Sequence, residues 1–159
     1  MSGILYTATL VTALGCGLVA GAFFAFSSFV MAALRRLKPA QGIAAMQSIN
    51  ILAVTPVFMT ALFGTAVACL GLVGWAVISS DGRTTALVLA GCVLYLVGTA
   101  GVTMACNVPL NYGLAKLNPR DADAGVRWNR FVTRWTAWNH VRAVTALAAA
   151  AALIIALQA

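Results

Sequence analysis

Four runs of apolar residues separated by short polar breaks set the pattern of this chain, at about residues 4–34, 53–78, 84–106 and 137–157. Each reaches the ~20 residues a helix needs to cross about 30 Å of hydrocarbon. A spanning segment must satisfy its own backbone hydrogen bonds, and runs of this length do so as helices. The pattern therefore predicts an all-α integral membrane four-helix bundle, a single transmembrane domain over residues 1–159. Two further stretches, 40–50 and 125–136, mix polar and apolar residues and predict interfacial helices beside the second and fourth spans.

The breaks carry their own signals. Pro39, after R-R-L-K, suits the first turn of a new helix, and Pro56 stands near the start of the second span where its missing N–H costs little. S-S-D-G-R at 79–83 reads as a tight turn. N-V-P-L-N, Asn107 to Asn111, should interrupt or kink the third helix at Pro109, with the two Asn on one face if the helix resumes. N-P-R-D-A-D-A-G at 118–125 reads as a loop whose acids favour the N-terminus of the last helix. Ala20-Gly21 and L-x-x-L-x-P, ending at Pro39, recur at an offset of 80 as Ala100-Gly101 and the motif ending at Pro119. Such a repeat admits two parallel 80-residue halves.

Composition sharpens the class. At 62% hydrophobic and 8% charged, with a mean hydropathy of +0.96, the chain lies outside the soluble range of roughly 45–50% apolar and about 25% charged. The net charge of +7 does not point to nucleic acid, because the bases flank the apolar runs. Arg35, Arg36 and Lys38 follow span one; Lys116, Arg120, Arg127, Arg130 and Arg134 follow span three; only Arg83 lies between spans two and three. The positive-inside rule then predicts a multi-pass protein of the plasma (inner) membrane with loops one and three cytoplasmic and both termini outside. The N-terminus lacks a basic region and a cleavage site and reads as a retained span. Cys16, Cys69, Cys92 and Cys106 show neither C-x-x-C nor paired spacing, so they read as small apolar residues rather than a disulfide or zinc framework. Gly17 and Gly21 form a G-x-x-x-G pair suited to close helix contact, within the bundle or in a homo-oligomer.

Candidate chemistry concentrates in W-N-R-F-V-T-R-W-T-A-W-N-H-V-R, Trp128 to Arg142, which holds three of the four Trp and the single His. Its continuation from Ala143 to Leu157 carries no charge, so Asn139, His140 and Arg142 fall where a helix passes from the interface into hydrocarbon. Polar groups at that depth are expensive and mark functional candidates. Arg142 needs an anionic partner or a route to water, and no span contains a carboxylate. An anionic ligand, a developing oxyanion or a lipid phosphate would each serve. His140 reads either as an interfacial histidine satisfied by neighbours or as a general base. No second His or acid in any span makes a metal site, and a haem through His140, with Met104 or Cys106 opposite, is the remaining cofactor alternative. Asn107, Asn111 and Asn139 either satisfy backbone groups near Pro109 or bind a ligand. Trp128, Trp135 and Trp138 form either an interfacial belt or a stacking wall for a flat aromatic.

Together, F-F-A-F-S-S-F-V-M (Phe23 to Met31), Q-S-I-N (Gln47 to Asn50), N-V-P-L-N and R-W-T-A-W-N-H-V-R (Arg134 to Arg142) resemble the anthrone oxygenase-like family of small four-span membrane proteins. The resemblance implies a membrane oxygenase that oxidises an anthrone-like, hydrophobic aromatic small molecule with O₂ and no evident cofactor. Carried over residue by residue, it marks Asn107, Asn111, Trp135, Asn139, His140 and Arg142 as site candidates. In that reading His140 removes a proton and Arg142 with an Asn holds the oxyanion. Trp135, Trp138, Phe24 and Phe29 bind the rings, and Asn50 lies beside them. The alternative is a non-catalytic carrier or accessory subunit that binds lipid or a protein partner through the Arg/Trp helix.

Overall fold

The structure, a computed structural model, describes residues 2–78 and 82–159. Five helices account for it: α1 (Gly3–Arg36), α2 (Pro39–Leu52), α3 (Pro56–Ile78), α4 (Gly82–Ala115) and α5 (Ala124–Ala156). No strand occurs among the described residues. The protein is an all-α membrane bundle, with α1, α3, α4 and α5 long and apolar enough to cross. At 1.5 Å per residue α1, α4 and α5 are each about 50 Å long, whereas hydrocarbon is about 30 Å thick. All three therefore project well beyond one membrane face, and α2 packs among their projecting ends.

Local chemistry explains the boundaries. Thr55 is extended (φ −94°, ψ 150°), as the residue before a proline prefers, and its hydroxyl accepts from the Phe58 N–H. This separates α2 from α3 at Ala53–Thr55, so the second membrane helix begins at Pro56 rather than at 53. Pro39 likewise opens α2. Gln47 Nε2 donates to the carbonyls of Leu114 (2.8 Å) and Leu117 (2.9 Å), satisfying the end of α4 from α2.

Two expectations change here. Pro109 does not interrupt α4: wide π-type turns at Leu94–Gly101 and Thr103–Asn107 precede it, and it sits at the start of the α-helical turn that follows. A π turn moves the hydrogen-bond pattern by one residue, so the absent N–H of Pro109 falls at a junction where the ladder is already offset. The stretches 125–136 and 137–157 are one continuous helix, because nothing between Gly125 and Ala156 breaks it. The turn expected at 79–83 lies largely outside the described residues; Gly82 and Arg83 open α4.

The core has two parts. The first, within the apolar half, joins Val19, Phe23, Leu62, Cys69, Cys92, Tyr95 and Leu153. Cys16, Cys69 and Cys92 are buried there as free thiols on three different helices. The second joins Met31, Leu34, Ile43, Met46, Leu114, Trp128, Phe131 and Trp135 among the projecting ends. Both Leu34 and Leu114 of the repeated motif are buried in it, but Pro39 opens a helix while Pro119 lies in a turn.

Glycine allows α4 and α5 to meet. A Cβ on Gly98 would fall 2.5 Å from Thr145 Cγ2, and one on Gly91 would fall 2.9 Å from Leu153 Cγ. Gly98→Val is expected to cost about 1–3 kcal/mol by overpacking. Gly17→Ala, whose Cβ meets no atom within 4 Å, should be nearly neutral. Reversible unfolding in bicelles compares the two; equal losses would refute a close contact at Gly98.

Candidate functional site

Between the two cores lies a cavity of about 310 Å³, within the size range of small-molecule sites. Arg142 reaches it from α5. That side chain is 4% exposed and stands three residues from Asn139, so the two share the inward side of the helix. Arg142 Nη2 donates to Asn139 Oδ1 at 2.7 Å and Nη1 to Thr103 Oγ1 at 3.3 Å. Asn139 in turn donates through Nδ2 to the Phe23 carbonyl and to Ser27 Oγ, both at 2.7 Å. The π-type turn at Phe26–Val30 begins just after Phe23 on α1, where that carbonyl receives a side-chain donor. The amide thus ties α1 to α5 and fixes the guanidinium at once.

Aromatic faces complete the setting of the cation. Arg142 Cζ lies 4.0 Å from the Phe23 ring centroid and 5.1 Å from that of Trp135. Such contacts contribute ~2 kcal/mol or more to a desolvated cation. Trp135 is itself held, donating from Nε1 to Asn111 Oδ1 at 2.8 Å while its carbonyl accepts from Asn107 Nδ2 at 3.2 Å. Phe26 tilts against Trp135 with centroids 5.7 Å apart. The ion pair found among the described residues, Arg127 with Asp123, lies far along α5, so no carboxylate is paired with Arg142. Two donors of residues that line the cavity, Arg142 Nε and Asn50 Nδ2, are buried without a hydrogen-bond partner. A wall rich in donors and aromatic faces, with a buried cation, fits a flat ligand bearing oxygen acceptors or a negative oxygen.

The sequence candidates divide cleanly. Arg142, Trp135, Asn111 and Asn50 line the cavity. Asn107 and Asn139 are buried behind it as supports. His140 does not share this space: it is exposed and lines an outward groove with Ser27, Arg35 and Arg36. Each residue advances about 100° around a helix, so His140 and Arg142, two apart, stand on nearly opposite sides. Phe24 and Phe29 are 63% and 61% exposed and Trp138 is 39% exposed, so they face outward rather than onto a ring in the cavity. The α1 aromatics at the cavity are instead Phe23 and Phe26, joined by Phe58 of α3 and Thr103 of α4. Phe23 continues the buried series Cys16, Val19 and Ala20 at helical spacing, a signal the sequence did contain. A haem held through His140 would likewise sit outside the cavity, and among the described residues no three His, Cys, Asp or Glu are arranged to hold a metal ion.

A family model described as anthrone oxygenase matches residues 55–152, more than half of the chain. The chain belongs to the anthrone oxygenase family. The match covers α3, α4 and most of α5, and so includes Thr103, Asn107, Asn111, Trp135, Asn139 and Arg142. The α1 and α2 contributions to the cavity, Phe23, Phe26 and Asn50, lie before it. No curated protein and no solved structure matches the chain.

Proposed function

We propose that this protein is a membrane-embedded, cofactor-independent oxygenase of flat, enolisable aromatic ketones of the anthrone type. The observation that carries the reading is Arg142: a buried guanidinium with no carboxylate paired to it among the described residues, set between two aromatic rings at a cavity wall. Such a group favours the enolate over the ketone, because only the enolate brings negative charge to it. The ring system would lie among Trp135, Phe26 and Phe58 with its oxygen on Arg142, and the proton lost on enolisation would leave to water at the cavity mouth near Asn50 and Tyr112. No side-chain base is required, and His140 has no part in the step.

The enolate is electron-rich enough to reduce O₂. Electron transfer and recombination form a C–O bond at the former methylene carbon, giving a hydroperoxide after protonation. Loss of the remaining C–H proton with cleavage of the O–O bond yields the second ketone and one water. One O₂ is consumed; the CH₂ becomes C=O.

The bases beside α1–α2 and α4–α5 orient the projecting ends toward the cytoplasm of a plasma membrane, with both termini outside. Oxygen uptake by detergent-purified protein with anthrone is the direct test. Wild type should exceed spontaneous oxidation, and His140→Ala should leave the rate essentially unchanged. No acceleration by wild type would leave the non-catalytic carrier or accessory subunit as the better reading; a collapse in His140→Ala would return that residue to the chemistry.

A further inference from the structure

The outward seam between α1 and α5 carries features that the cavity does not use. A groove of about 660 Å³ is lined there by Ser27, Arg35 and Arg36 from α1 and Thr133, Thr136 and His140 from α5, with no acid among its walls. Thr136 Oγ1 is buried in that wall without a hydrogen-bond partner. Three residues deeper on each helix, an apolar groove of about 250 Å³ continues between Gly17, Gly21 and Phe24 on one side and Ala143, Val144 and Leu147 on the other. Apart from the backbone of α1 itself and the adjoining residues, no atom lies within 4 Å of where a Cβ on Gly17 or Gly21 would stand, so the floor of this groove is open.

Depth relates the two. Counting about 20 residues of span back from Ala156 places the edge of hydrocarbon close to His140. The apolar groove is then inside the bilayer, while Arg35 and Arg36, about two turns beyond Ser27, stand just outside the headgroups and line the same groove as His140, with side chains long enough to reach back to headgroup level. We infer that this seam binds one anionic phospholipid, with its phosphate on Arg35, Arg36 and the His140 ring and an acyl chain along Gly17 and Gly21. Cations, hydroxyls and a bare strip thus follow one another in the order phosphate, glycerol and chain. A second copy of the protein docked seam to seam in the same membrane orientation would bring its own Arg35 and Arg36 against these, a like-charge contact that a lipid phosphate avoids. The inference is independent of the oxygenase reading.

The test uses the full chain in a neutral detergent, titrated with chain-labelled phosphatidylglycerol and phosphatidylcholine. Wild type should hold phosphatidylglycerol on the order of tenfold more tightly, as expected for two basic side chains near a lipid surface. The double variant Arg35→Gln/Arg36→Gln should lose that preference and leave phosphatidylcholine binding unchanged. Gly21→Leu, which projects into open space, should weaken both lipids, and glycerol 3-phosphate should fail to compete. Equal binding of the two lipids by wild type, or undiminished phosphatidylglycerol binding by the double variant, overturns the inference. Competition by glycerol 3-phosphate as effective as by whole lipid would reassign the basic groove to free phosphate. A dimer disrupted by Gly21→Leu with lipid retention unchanged would assign the apolar groove to a second copy. Thermal unfolding of each variant checks the fold, and the arginine pair remains decisive if Gly21→Leu folds poorly.

Discussion

Arg142→Met is expected to lower oxygen uptake with anthrone by about 10²- to 10³-fold, the usual consequence of deleting a preorganised oxyanion partner. The substitution should leave the bundle folded. A buried cation carries a desolvation cost that a methionine of similar length does not, which offsets the loss of its bonds to Asn139 and Thr103. Arg142→Lys should also be impaired, since one ammonium cannot serve Asn139, Thr103 and a ligand oxygen from the positions of a planar fork. Steady-state uptake together with thermal unfolding separates the two effects. Retained turnover in Arg142→Met would remove the cation from the mechanism.

Asn139→Leu should produce the largest loss of stability, about 2–4 kcal/mol, together with a fall in turnover. Its side chain is fully buried and makes three hydrogen bonds of 2.7 Å, to the Phe23 carbonyl, Ser27 and Arg142. Hydrogen bonds between membrane helices average only ~0.6 kcal/mol each, but one of these serves a buried cation, which costs more to abandon. Ser27→Ala removes only one arm and should be milder. Equilibrium unfolding in bicelles reads the difference; equal stabilities for Asn139→Leu and Ser27→Ala would show that the amide does not hold Arg142 in place.

The membrane class and the four crossings were legible because they rest on run length and absence of charge, properties that tertiary packing does not alter. N-V-P-L-N meets α5 at Trp135, one turn before Asn139. Polar residues at one depth in lipid seek one another, and Asn107 and Asn111 both bond to Trp135. Handedness around the helix was harder. His140 and Arg142 lie close in sequence and both are polar, yet only one faces the cavity, and the choice between Phe23 and Phe24 turns on a single residue. Asn50 was identifiable by motif, whereas Thr103 looks like any hydroxyl in an apolar helix until Arg142 is placed beside it. The continuity of α4 through Pro109 also escaped, because proline rules describe α-helical turns and the preceding turns are wider.

Those wider turns also govern what changes in length the protein tolerates. On α4 the buried residues Tyr95, Thr99, Thr103 and Asn107 recur at every fourth position, and on α1 the interval from Phe23 to the next buried residue, Met31, is eight. A π turn is in effect one extra residue absorbed without breaking the helix. Deleting one residue between 94 and 107 would let a wide turn relax to α-helical winding and leave the phase of everything beyond nearly unchanged, whereas deleting one within the α-helical stretch Gly82–Val93 would rotate the two parts of α4 against each other by about 100°. In the second case either Asn107 and Asn111 or the buried residues before Leu94 would turn away from their partners, although every amino acid at the site kept its identity. The spacing of the chain is therefore as much a component of the site as its side chains, and α4 accepts a one-residue gap at its wide turns more readily than in its α-helical ones.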